Sequence, residues 1–327
     1  MASTYEGRSL TERHRRAQIG LRAQFLRAFT PDWSILDWTR IDATAVAWAR
    51  AAKETIRIWR QRSADLSEDY YRQYRDAEKP LAATPAPIID FAGQDQRPSG
   101  QLRGQSAQPP AGRSGRTIKI NGHVYEKDEQ GLVRPRIDWT EFDKAVERSL
   151  LVTGPGELKR RAAKHESEEM AMRSGLVTAS NAASRHVLNG GRETLLTLAE
   201  ADDEVQGYIR ITDGDPCYYC AMLASRGVVF KSGQSFSKSD AKRTSNKRFE
   251  GSGLSRNEAK VHDNCACTIE AVLVSKGNVL PAVNQEFQDL WNDNIRNKYS
   301  GKAAIYAWRQ LYERQQHERG QLLSRVA

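Results

Sequence analysis

Asp215-Pro216-Cys217-Tyr218-Tyr219-Cys220 and, further along the chain, His262-Asp263-Asn264-Cys265-Ala266-Cys267 contain every cysteine of the sequence. Two cysteines three positions apart can turn both thiolates onto one ion with little loss of chain entropy. The second cluster adds one imidazole and two more thiols within six residues. Tetrahedral zinc takes four nitrogen or sulfur ligands, and these stretches supply five candidates: Cys217, Cys220, His262, Cys265 and Cys267. The spacing assigns Cys217 and Cys220. The remaining two come from His262, Cys265 and Cys267, and the sequence leaves that choice open. Four protein ligands close the coordination sphere, so the expected metal is a structural Zn2+ whose binding energy is folding energy. Clustered cysteines in a chain without an export signal read as metal ligands rather than disulfides.

The same Pro-Cys-x2-Cys pattern occurs in zinc deaminases, where an upstream His-x-Glu or Cys-x-Glu supplies the proton-shuttling carboxylate. No histidine here is followed two positions later by glutamate, and no cysteine precedes Cys217. A metal nuclease would need a second catalytic histidine near His262, and there is none. His165 with Glu166, Glu168 and Glu169 reads as a solvated helix face, because adjacent carboxylates point around a helix rather than at one point. Leu151 to Gly156 lacks the Lys-Ser/Thr of a phosphate-binding loop. The sequence therefore predicts a non-enzymatic protein. A zinc-dependent nucleic-acid enzyme and a free DNA-binding protein are the rival classes.

Between the two cysteine clusters, residues 231–260 are rich in Lys and Arg with few carboxylates. Lys238, Lys242, Arg243, Lys247 and Arg248 are candidate contacts to nucleic-acid phosphates. Phe236 and Phe249 are the few aromatics there that a stacked base would use.

Outward from the cysteine module, at 207–275, the chain reads as mainly α. Short apolar runs at 208–211, 227–230 and 267–273 make the module itself a small α+β unit. An N-terminal helical region, 1–79, holds one helix over 8–29 with Leu10, Ala17, Leu21, Phe25 and Phe29 at helical spacing, closed by Pro31. A longer helix follows over 42–78 with Val46, Ala49, Ile56, Trp59 and Leu66 near one face and Trp48 beside it. Residues 80–136 read as a flexible Pro/Gly/Gln/Ser linker. Inside it, 117–125 forms a β-hairpin turning at Asn121-Gly122, a pair that tolerates the positive φ of a tight turn. A helical bundle, 137–206, begins at Asp138 with Glu141 in capping-box spacing. Its later helices are expected to stop at Gly175 and at Asn189-Gly190-Gly191, the last running over 193–206. A C-terminal helical tail, 276–327, carries Phe287, Leu290, Trp291, Ile295, Ala304, Trp308 and Leu311.

Composition bounds the function. The apolar fraction is 39% and mean hydropathy −0.68, lean for one compact globule of 327 residues. A net charge of +9 favours acidic partners. The start is polar and Arg-rich, without the apolar core of a secretion signal, and no run of 18 apolar residues crosses a membrane.

Three runs resemble one family. Asn189-Gly190-Gly191-Arg192-Glu193-Thr194 is similar to the joint upstream of the zinc module in actinobacteriophage Mu F-like minor capsid proteins, the phage head-morphogenesis family. Arg210-Ile211-Thr212 through Arg226-Gly227 is similar to that module's first half. His262-Asp263-Asn264-Cys265-Ala266-Cys267-Thr268 looks like its closing signature, with Val261 and Ala266 as departures that remove no ligand. The likeness spans roughly 140–275. It implies a virion protein of the capsid interior near the portal, assembled in the bacterial host cytoplasm. Its implied partners are the portal and major capsid proteins, with packaged DNA a further contact of the basic stretch. On that reading the terminal helices dock on portal or capsid, with Trp33, Trp38, Trp48, Trp59, Trp291 and Trp308 as candidate anchors.

Overall fold

The computed structural model describes residues 2, 4–78, 117–120, 123–212, 216–230, 265–273 and 280–326, with side chains to 318. Asn121-Gly122, the basic stretch at 231–260 and His262 lie outside the described residues.

Helix α1 (Tyr5–Phe29) starts at Thr4, whose hydroxyl accepts from the Gly7 amide at 2.8 Å. Pro31 sits in the first turn of a tight segment, Thr30–Ile35, that leads into α2 (Ile41–Glu78). Contacts of His14 with Ser67 and of Gln18 with Ser63 descend along α2 as α1 ascends, so the two helices are antiparallel. The hairpin β1 (Thr117–Ile120) and β2 (His123–Glu126) pairs Ile120 with His123. Helix α3 (Trp139–Leu151) is capped by Asp138, which accepts from Thr140 and Glu141 amides; Glu141 turns instead to Lys144. A wide turn through Pro155 leads to α4 (Glu157–Ala162), and α5 (Glu168–Ala201) follows, capped by Ser167.

Helix α5 corrects the expectation of three short helices. Gly175, Gly190 and Gly191 lie inside one 34-residue helix, which ends at Ala201; Val205 and Gln206 already belong to a strand. These glycines exist for close packing. A Cβ at Gly175 would meet Leu158 and Trp33, at Gly190 the Arg60 carbonyl, and at Gly191 Ser63, Ser67 and Gln18. Contacts of Arg60 with His186 and of Tyr71 with Asp202 ascend together, so α5 runs parallel to α2 along this seam. Gly190→Ala is expected to lower stability by about 1–3 kcal/mol through overpacking. Helix propensity alone predicts a gain of about 1 kcal/mol. Urea unfolding gives the sign, and a stabilised variant would mean that the seam is loose.

The apolar stripes need two corrections. Ala17 is exposed, and the buried positions between Leu10 and Leu21 belong to Thr11, His14 and Gln18. On α2, Val46 is 63% exposed while Trp48 is fully buried. The tryptophans proposed as docking anchors are mostly core. Trp33, Trp48 and Trp308 are buried, and Trp38, Trp59 and Trp291 pack against the same clusters.

Strand β3 (Val205–Ile211) is the middle of an antiparallel sheet between β4 (Val229–Phe230) and β5 (Thr268–Leu273). Nearly every residue of β3 and β5 is buried, because helices cover the sheet. One continuous cluster joins Leu10, Tyr71 and Tyr74 to Leu195, Leu198, Tyr208 and Ile269. Glu270, buried on β5, accepts from the Ala2 amide at 2.7 Å and the Thr11 hydroxyl at 2.6 Å. Between β3 and β4 lies α6 (Tyr218–Ala224); after β5 come α7 (Ala282–Asn294) and α8 (Gly301–Val326). The fold is mainly α with a small α+β module, as the sequence predicts.

Two buried imidazoles set an acid limit on this fold. His14 stacks on Tyr70 at 4.3 Å, and burial pushes it down to about 3. Burial, then repulsion by Arg185 and Arg60, pushes His186 down to about 3 as well. The unfolded imidazole protonates near 6.5, so below that pH the unfolded state holds more protons and stability falls as pH falls. Each histidine is expected to remove about 2 kcal/mol between pH 7 and pH 5. Urea midpoints at the two pH values test this; a midpoint independent of pH would contradict it.

Candidate metal centre

Cys217 is the residue that starts α6. Its extended backbone lets the sulfur accept from the Cys220 amide at 3.5 Å, which places Cys217 and Cys220 on one side of the first turn. Cys265 and Cys267 run directly into β5, where side chains two apart share a face. Cys220, Cys265 and Cys267 are each at most 2% exposed, and their sulfurs all lie within 4.8 Å of one another. Cys217, half-buried, packs against them.

None of the four forms a disulfide, and the Cys220–Cys265 sulfur separation is 3.3 Å. A zinc–sulfur bond of about 2.3 Å implies sulfurs about 3.8 Å apart around a tetrahedral ion. The triangle is therefore of metal-binding size, and the donor set fits a soft or borderline cation. Hydrogen bonding from Cys217, Cys265 and Cys267, then burial, pushes the Cys220 thiol well up. Hydrogen bonds from Cys220 and Cys267, aided by the charge of Arg192, push Cys265 down. Crowded buried thiols resist sharing several negative charges, and a divalent cation removes that resistance.

Two supports hold the cysteines. From α5, the Arg192 guanidinium donates to the Cys267 carbonyl at 2.9 Å, the Cys265 carbonyl at 2.6 Å and the Asn189 side chain at 2.9 Å. From the C-terminal helices, the Trp308 indole donates to the Tyr218 carbonyl and the Tyr312 hydroxyl to the Pro216 carbonyl, each at 2.6 Å. Asn284 donates to the carbonyls of Arg210 and Ala224, bridging β3 and α6. Neither support follows from sequence spacing. The only sequence trace of the first is an arginine directly after the Gly190-Gly191 pair that seats α5 on α2.

Among the described residues a small space borders the cysteines. Gln18, Ser67, Arg192, Cys267 and Thr268 border a cavity of about 10 Å³, room for a water and not for a substrate. A groove of about 350 Å³ over Asp65, Glu68, Arg136 and Trp139 contains none of the cysteines. Of the sequence-predicted site residues, the structure brings Cys217, Cys220, Cys265 and Cys267 together. His262, Lys238, Lys242, Arg243, Lys247 and Arg248 fall outside the described residues. Among the described residues no helix is long and apolar enough to cross a membrane.

No curated protein and no solved structure matches the chain. A family model described as VG15 protein matches residues 151–315, half of the sequence, from the end of α3 into α8. That span takes in both cysteine clusters and both supports around them. The chain therefore belongs to the VG15 protein family, and the finding marks it as a phage protein.

Proposed function

We propose that the protein is a minor structural component of a phage head, an adaptor between the portal protein and the capsid interior during assembly, with a structural zinc ion at its cysteine centre. The observation that carries the reading is the triangle of three buried thiols at metal-binding distance, bordered among the described residues by a cavity with room for a water. Cys220, Cys265 and Cys267 would hold the ion with Cys217 or His262 as the fourth ligand. When bound, zinc supplies a rigid crosslink between α6 and β5. Catalysis would instead require an open metal position and a base within reach. Membership in a phage family and the head-protein likeness of the cysteine runs support the assignment to the head. The stretch carrying Lys238, Lys242, Arg243, Lys247 and Arg248 would meet packaged DNA through its phosphates.

Quantitative mass spectrometry of gradient-purified particles tests this. A few copies per head, near the copy number of the portal, is the expected result. Absence from proheads and mature heads alike would overturn the structural role.

A further inference from the structure

Arg192 is only 4% exposed, and its hydrogen bonds all go to neutral oxygens: two backbone carbonyls and one side-chain amide. Among the described residues no carboxylate pairs with it. A buried guanidinium with only neutral acceptors is unfavourable unless negative charge lies nearby. The carbonyls that it grips belong to Cys265 and Cys267, two of the three clustered thiol residues. A divalent ion held by three thiolates and an imidazole carries one net negative charge, and one held by four thiolates carries two. Arg192 thus stands where an anionic centre would form.

Its fork also matters. The two carbonyls that it grips belong to the residues on either side of Ala266, so one planar group fixes the relative orientation of Cys265 and Cys267. Gly190 and Gly191 allow α5 to lie against Arg60, Ser63 and Ser67 of α2, which anchors the helix that carries the fork.

We propose that Arg192 is the counter-charge and positioning residue of the metal–thiolate centre. The proposal rests on the metal reading above. In the full chain, zinc affinity is measured by competition with a chromophoric chelator, and the thiolate-to-metal charge-transfer band by cobalt substitution. Arg192→Met is expected to weaken zinc binding about 10- to 100-fold, the usual loss for an outer-shell partner. Arg192→Lys keeps the charge without the fork and falls between Met and the parent. Asn189→Ala removes one anchor of the guanidinium from the helix surface and weakens binding severalfold with the fold intact. This variant and Arg192→Lys carry the test if Arg192→Met does not fold. A purely structural arginine would lower urea stability while leaving zinc affinity and the cobalt band unmoved, and that result would overturn the proposal alone. A parent chain that binds no metal would overturn the metal reading and the proposal with it.

Discussion

Stripping the metal with a high-affinity chelator is expected to release α6, α7 and α8 while the α1–α2–α5 bundle stays folded. The cysteines join α6 to the start of β5, and without that crosslink α6 keeps its seven residues and its contacts to β3 and the C-terminal helices. Structural zinc contributes on the order of 10 kcal/mol in small modules, more than such a short helix can replace. The bundle has one core around Trp48 and shares a second, around Tyr71, with β3 and β5, and neither contains a cysteine. Hydrogen exchange should therefore lose protection over 218–224 and 282–312 first. Cys265→Ser should reproduce the effect, because removing a ligand costs more than the about 10- to 100-fold of an outer-shell change. Comparing Cys217→Ser with His262→Ala identifies the fourth ligand. Exchange unchanged by chelation would contradict the account.

The second large effect is expected at Trp308. It is fully buried, packs between a tilted Trp291 at 5.4 Å and a stacked Tyr312 at 5.9 Å, and its indole holds the Tyr218 carbonyl inside the Cys-x2-Cys turn. Trp308→Ala should lower stability by about 3–5 kcal/mol through the cavity and the lost contacts. Trp308→Phe restores most of the volume but leaves the Tyr218 carbonyl without its donor, at about 1–3 kcal/mol. Because the clamp positions Cys217 and Cys220, zinc affinity should fall alongside stability in the alanine variant. Urea unfolding within 1 kcal/mol of the parent would show that the C-terminal helices are not the clamp described here.

The legible and illegible parts of this protein divide on a physical line. Cysteine spacing was readable because chelation is local: Cys217 and Cys220 share a helix start, and Cys265 and Cys267 share the approach to a strand. Asp138 was readable as a cap for the same reason. Gly190 and Gly191 were misread because a helix stop and a close helix crossing call for the same residue, and only the neighbour on α2 tells them apart. His14 and Gln18 escaped the stripe of α1 because their burial is made possible by Ser63 and Ser67, far away in sequence. Trp308 and Trp48 looked like docking anchors because an aromatic at helical spacing suits a core and an interface equally. The one local trace of Arg192 is its place after Gly190-Gly191; its role exists only where α5 passes the cysteines.

The most direct test of the central claim is the metal content of the full chain, purified without added metal or chelator and read by plasma mass spectrometry. One zinc per chain is the expected result. A folded, metal-free protein with the same thermal transition after zinc is added would contradict it.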